Sequence, residues 1–271
     1  MCMGTGDAVQ AHRNMRSPGC KLHRITLALI VALLVLIAPR PAAAALISDA
    51  QEINLGRQAA QQLETDVGVV GDPAMTERVR VIGRRVAAAS ARPGLPWTFK
   101  VMKGKDVNAV SLPGGFIYTT EGLMRFVRSD DELAFVLGHE VGHVSARHHV
   151  AMIERYYFMG IVIQIAFGRS PSAAQIADLV RFFLTQGFSR ENEFEADRLG
   201  VMHAHRAKFD ASAGLGFMQR LRATEGRDPS QVEVLLRTHP GLADRIVRVR
   251  EQLQHLGYRV GRAASWRITL P

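Results

Sequence analysis

Residues 137–144 read LGHEVGHV. Two histidines four residues apart, His139 and His143, sit in an apolar stretch, and Glu140 follows the first directly. On a helix, positions i and i+4 share a face about one turn apart, so two imidazoles there can bind one metal ion. Glu140 is turned about 100° away. It does not ligate in such an arrangement, but it can reach a water in the metal's open position. Zinc lowers the pKa of that water and the carboxylate takes its proton, which is the physical content of an HExxH string. The plain alternative is a buried helix with two hydrogen-bonded histidines. Gly138 and Gly142 each cost about 1 kcal/mol relative to alanine in a helix interior. That cost implies close approach by a metal, a substrate or another backbone.

A catalytic zinc ion needs a third protein ligand. The only cysteines, Cys2 and Cys20, precede an apolar leader. A chain that has shed that leader can build neither a disulfide framework nor a thiolate site. The third ligand must then be a carboxylate or a histidine. Residues 189–200, SRENEFEADRLG, hold four acidic residues within seven positions. Glu193 and Asp197 share a helix face, where like charges repel. A zinc ion at Glu193 would compensate one, and Asp197 could accept a hydrogen bond from the outer nitrogen of a ligating histidine. On composition alone, a solvated acidic face paired with Arg190 and Arg198 is equally compatible.

The elements that must position these residues follow from local signals. Ser48-Asp49-Ala50-Gln51 has the form of a capping box and predicts a helix to about Leu63. A second helix is expected over Pro73–Ser90, ended by Arg92-Pro93-Gly94-Leu95-Pro96. Strands are expected at Trp97–Met102, Val107–Leu112 and Phe116–Thr120, with Pro113-Gly114-Gly115 as the turn between the last two. A short helix is expected over Glu121–Val127. Ser129-Asp130-Asp131-Glu132 is a second capping box, and the HExxH helix is expected to run from Asp130 to about Arg155. Further helices are expected at 173–184, 189–205, 211–224 and 241–255. His148, His149, His203 and His205 match no motif and read as helix-surface residues.

The chain has 271 residues, 47% of them hydrophobic, enough for one ordinary domain with a sizeable core. Its net charge of +9 is misleading. Residues 1–44 hold Arg13, Arg16, Lys21, Arg24 and Arg40 against Asp7, and the remaining charges are mixed rather than striped with aromatics. Nucleic acid is therefore not an expected partner. The basic Lys21–Arg24 precedes the apolar run Ile25–Ala38 and then Pro39-Arg40-Pro41 with four alanines. This is the pattern of a secretory signal peptide over 1–44, with an uncleaved anchor as the other reading. The expected domain is 45–271, and the expected location is the periplasm.

The HEVGH helix followed by SRENEFEADRLG resembles the M48 family of zinc metallopeptidases. Two more elements resemble that family in the same order: residues 108–118, NAVSLPGGFIY, and Thr238-His239-Pro240 with Arg245 six residues after the histidine. The resemblance covers roughly 50–255. It implies an α+β, mainly helical zincin-like fold with a small three-stranded sheet. It implies one zinc ion held by His139, His143 and Glu193, with Glu140 as base, Asp197 beside the site, and His239 as an oxyanion donor or a resting cap on the zinc. Asn108 and Ala109 on the strand, with Arg245, are the implied substrate-side residues; a plain sheet position for Asn108 and a surface ion pair for Arg245 stay open.

The expected function is that of a zinc metalloendopeptidase acting on misfolded or misassembled envelope proteins. A zinc-bound, chaperone-like protein with latent peptidase activity is the rival. The sequence is expected to be a small exported member, without the helical repeats of the BepA-like branch or the several spanning helices of the HtpX branch. The apolar run Tyr156–Gly168 is too short to span a bilayer. It is expected to be a core helix, or else a lid or membrane-surface contact.

Overall fold

The computed structural model describes residues 46–156 and 160–260. The expected leader over 1–44 lies outside them. The described chain is mostly helical, with one small sheet. Helix α1 (Asp49–Val67) starts at Ser48, whose hydroxyl caps Gln51 while the Gln51 side chain returns to the Ser48 backbone. Helix α2 (Pro73–Ala88) is capped by Asp72. Then come β1 (Thr98–Met102), β2 (Ala109–Leu112), β3 (Phe116–Thr120) and the short α3 (Glu121–Phe126).

The sheet order is β1-β3-β2, with β1 parallel and β2 antiparallel to β3. Successive strand residues point to opposite faces, so the sheet serves two cores. Phe99, Val101, Ala109 and Ile117 join one cluster, and Val110, Leu112, Phe116 and Tyr118 join the other. The β2–β3 turn needs its glycines. Gly114 lies at φ +76, and a Cβ there would stand 2.6 Å from the Ile53 Cα. The Gly114 amide instead donates to buried Glu52, which Arg92 neutralises at 3.0 Å.

Helix α4 (Asp130–Ser145) carries the HExxH string, and every residue from Glu132 to Val144 is buried. Ser129 caps it, but only half of the expected box forms. The Glu132 carboxylate accepts from the Arg128 amide and from Arg220, which draws it away from the Ser129 backbone.

The expected continuous helix to Arg155 is wrong. It ends at Ser145, and α5 (His148–Tyr156) begins after Arg147, whose φ is +59. A left-handed arginine is strained. It is held by hydrogen bonds from its guanidinium to Asp49 at 2.6 Å and to the Ile47 carbonyl. The break sends the chain back toward α4. His148 and His149 are therefore buried rather than on the surface, at 5% and 1% exposure, and so is His203; only His205 is exposed.

Helix α6 (Ile161–Ala166) lies in the Tyr156–Gly168 run. Ile161, Val162 and Ile165 pack into the second core, while Ile163 and Phe167 are exposed. Helices α7 (Ala173–Thr185), α8 (Arg190–Arg206) and α9 (Ala213–Glu225) follow. A 3-10 turn at Pro229–Gln231 and α10 (Glu233–Thr238), neither expected, precede α11 (Leu242–His255). Among the described residues, no helix is long and apolar enough to cross a membrane.

Candidate metal centre

The site is assembled where α4 and α8 touch backbone to backbone. A Cβ on Gly138 would stand 2.9 Å from the Gly200 carbonyl oxygen, and one on Gly142 would stand 3.1 Å from that of Ala196. The glycines of the HExxH helix therefore make room for another backbone. That approach brings the face of α8 carrying Glu193 and Asp197 onto the face of α4 carrying His139 and His143.

One potential ligand atom from each of His139, His143, Glu193 and His239 lies within 4.8 Å of all the others, and all four residues are buried. His143 Nε2 is 3.0 Å from His139 Nε2 and 3.3 Å from Glu193 Oε1. His239 Nδ1 is 3.1 Å from Glu193 Oε1, and its Nε2 is 3.6 Å from Glu140 Oε1. His239 thus stands between the cluster and Glu140. It gets there because α10 ends at Thr238 and the Thr238 carbonyl is held by the Phe188 amide.

The charges suit a cation. Burial holds the His143 pKa well below its usual value, so its imidazole is neutral, as a ligand must be. Burial alone would raise Glu193, but Arg245, His239 and His143 together hold it well below the carboxylate range. Glu193 Oε2 lies 2.6 Å from Arg245 Nη1 without hydrogen-bond geometry, so it is buried and accepts no hydrogen bond. Three imidazoles, that of His143 held neutral, and an ionised carboxylate whose second oxygen accepts no hydrogen bond are a donor set that fits zinc.

Around this cluster, Asp197 Oδ1 is 2.9 Å from His139 Nδ1. Arg245 grips Asp197 through Nε at 2.7 Å and Nη2 at 2.8 Å, and donates to the His239 carbonyl at 3.0 Å. Burial opposes ionisation of Asp197, but Arg245 and His139 outweigh it and its pKa is lowered. The solvated-face alternative for 191–197 fails for Glu193 and Asp197, which are 0% and 2% exposed; Glu195, beside Arg198, does lie on the outside. Arg245 is not a surface ion pair either, since it is 6% exposed.

Glu140 is buried and accepts a hydrogen bond from Ser111 Oγ at 2.7 Å. Ser111 Oγ is also 3.3 Å from His149 Nε2. Burial lowers the His149 pKa to about 3. Asn108, Ala109, Ser111, Glu140 and His239 line one cavity, whose far wall includes Phe183 and Phe188. A second, mainly apolar cavity opens on Glu140 and His239 from the side of Phe135, Phe217, Leu221 and Leu235.

The nine candidate site residues, Asn108, Ala109, His139, Glu140, His143, Glu193, Asp197, His239 and Arg245, are thus brought to one place. The sequence reading missed Ser111, His148, His149 and Phe188. The tandem histidine five residues beyond His143 was a visible signal, but its direction depended on the helix break. His143 Nδ1 lies 2.9 Å from His148 Nδ1, and the Phe188 ring stacks on His143 at 3.8 Å between centroids.

A helix presenting HExxH, a carboxylate from α8 packed against it and a sheet strand beside the glutamate form a site of the metallopeptidase type. The profile of Peptidase family M48 matches residues 73–253, and the chain belongs to that family. It is 30% identical over 209 residues to the beta-barrel assembly-enhancing protease of Yersinia pestis, covering 73% of this chain and 43% of that protein. It is 32% identical over 171 residues to the mitochondrial metalloendopeptidase OMA1 of Schizosaccharomyces pombe, covering 63% and 50%. It is 29% identical over 216 residues to the metalloprotease LoiP of Escherichia coli, covering 76% and 82%. The chain spans about half the length of the first two.

Proposed function

We propose that the chain is a zinc-dependent metalloendopeptidase that hydrolyses peptide bonds of misfolded or misassembled envelope proteins in the periplasm. The observation that carries the chemistry is the convergence of His139, His143 and Glu193 with Glu140 at its side. Zinc bound there would supply the Lewis acidity that makes water acidic and polarises a peptide carbonyl. Glu140 takes the proton of the attacking water and returns it to the departing amine nitrogen. Ser111 fixes the Glu140 carboxylate for that exchange. Asp197, held by Arg245, orients His139.

The substrate class rests on β2. The Thr120 amide donates to the Asn108 carbonyl, so 108 and 120 form a bonded pair. In an antiparallel ladder the alternate residues, Ala109 and Ser111, then turn their backbone groups away from β3, along the free edge. An extended peptide can add there through its backbone, with little sequence preference. The apolar cavity beside Glu140 would favour an apolar side chain. Both features favour unfolded segments over folded surfaces. The names of the beta-barrel assembly-enhancing relatives support an envelope substrate, and the leader pattern supports export. Contact of Ile163 and Phe167 with a membrane surface belongs to the same proposal.

The test is a single protein offered both folded and chemically unfolded to zinc-loaded enzyme. Cleavage of the unfolded form alone supports the reading; equal cleavage of both contradicts it. The position of His239, between Glu193 and Glu140, favours a second reading, that of a latent enzyme whose resting state is capped. Activity rising in His239→Ala would support the cap. Activity falling would assign His239 to stabilising the negative oxygen that develops on the substrate.

A further inference from the structure

We propose that His148, reached through the Arg147 break, is the positioning residue for the ligand His143, and that it acts as a neutral acceptor backed by Glu195. The inference rests on the zinc-site reading above, not on the peptidase reading.

His143 turns Nε2 to the ligand cluster, where it lies 3.3 Å from Glu193 Oε1. Its other nitrogen, Nδ1, is 2.9 Å from His148 Nδ1. Two facing ring nitrogens at that distance can hold one hydrogen between them, not two. A histidine that ligates through Nε2 carries its hydrogen on Nδ1, so His143 donates and His148 accepts. His148 then carries its own hydrogen on Nε2, which lies 3.4 Å from Glu195 Oε2. One tautomer assignment satisfies all three groups. The Phe188 ring, stacked on His143, fixes the plane in which the bond must lie.

The two metal-facing histidines of α4 are thus oriented differently. His139 leans on a carboxylate, Asp197, held by Arg245. His143 leans on a neutral imidazole. This arrangement exists only because α4 stops at Ser145. Left-handed Arg147, anchored on Asp49 and Ile47, folds α5 back so that His148 lies under His143. Loss of a hydrogen-bond partner behind a metal ligand typically weakens metal binding about ten- to hundred-fold.

The experiment follows zinc release from the zinc-loaded full chain into a chromophoric chelator. His148→Phe keeps a buried ring but offers no acceptor. Release is expected about tenfold faster or more, with the fold intact by circular dichroism. His148→Gln can accept from His143 through its oxygen and donate to Glu195 through its amide. It is expected to restore release to within about threefold of wild type. A wild-type rate in His148→Phe overturns the proposal. So does His148→Gln releasing as fast as His148→Phe at equal thermal stability, since that outcome means packing alone is at stake. Should His148→Phe not fold, His148→Leu, which likewise offers no acceptor to His143, takes its place; faster release supports the proposal and the wild-type rate overturns it. Zinc release is read without substrate, so a chain that cleaves nothing would defeat the peptidase reading and leave this test standing.

Discussion

Arg245→Met removes the cation on which two buried carboxylates depend. Arg245 makes two hydrogen bonds to Asp197 and lies 2.6 Å from Glu193 Oε2. Neither carboxylate has solvent to fall back on, since their side chains are 3% and 0% exposed. Breaking a buried ion pair by removing one partner costs about 3–5 kcal/mol, because the other charge stays buried. For a chain of this size each kcal/mol lowers the melting temperature by about 2–4 °C, which gives a fall of roughly 6–20 °C for the metal-free protein. Zinc would neutralise Glu193 but not Asp197, so the fall should be smaller in the zinc-loaded form.

The pH dependence has a definite sign. In the wild type Arg245 holds Asp197 and Glu193 low, so both contribute stability at neutral pH that is lost as pH falls through their depressed values. Without Arg245 their pKa values rise, and they take up protons as pH falls. The deficit of the variant should therefore be largest near neutrality and shrink toward acid pH. Arg245→Met/Asp197→Asn should recover part of the loss. Circular-dichroism melts with and without chelator, at several pH values, measure all of this. A fall below about 3 °C in the metal-free protein would refute the reasoning, as would a deficit that grows on acidification.

Three further outcomes follow from the same geometry. Gly138→Ala gains about 1 kcal/mol of helix propensity, yet its Cβ meets the Gly200 backbone at 2.9 Å; zinc affinity by chelator competition should drop even where the melting temperature holds, and unchanged affinity would mean the glycine contact does not set the site. Ser111→Ala removes the hydrogen bond to Glu140 and should lower kcat about ten- to hundred-fold with zinc content unchanged; an unchanged kcat would show that Ser111 does not hold the base. His149 and His203 are both buried and lowered, His149 to about 3, so the unfolded chain binds more protons than the folded one below the ordinary histidine pKa. Their stabilising contribution is complete above about pH 6.5 and is lost as pH falls below it, for His149 down to about 3, at up to about 1.4 kcal/mol per pH unit per group, and a wild type whose denaturant midpoint changes no more between pH 7 and 5 than that of the His-to-Phe variants would contradict it.

The parts of the molecule fixed by local chemistry were legible in the sequence. Ser48 and Ser129 cap helices as their capping-box signatures predict, and the Pro113–Gly115 turn joins β2 to β3. The i, i+4 spacing placed His139 with His143 and Glu193 with Asp197 before any fold was known. What stayed hidden depends on partners distant in sequence. No glycine or proline marks the end of α4, and Arg147 is turned left-handed by Asp49 and Ile47, some hundred residues earlier. His148, His149 and His203 look like surface residues until that turn, and the packing of α4 on α8, bury them. Helix α10 is a single short segment whose role is to deliver His239, and nothing in its six residues announces it.

The central claim is that Glu140 activates water at a zinc site built by His139, His143 and Glu193. The most direct measurement compares wild type with Glu140→Gln, each assayed for bound zinc and for degradation of an unfolded protein. The account predicts one zinc per chain in both, with cleavage in the wild type and a loss of about a thousandfold in Glu140→Gln. Zinc in both proteins with equal cleavage, or with no cleavage by either, would contradict it.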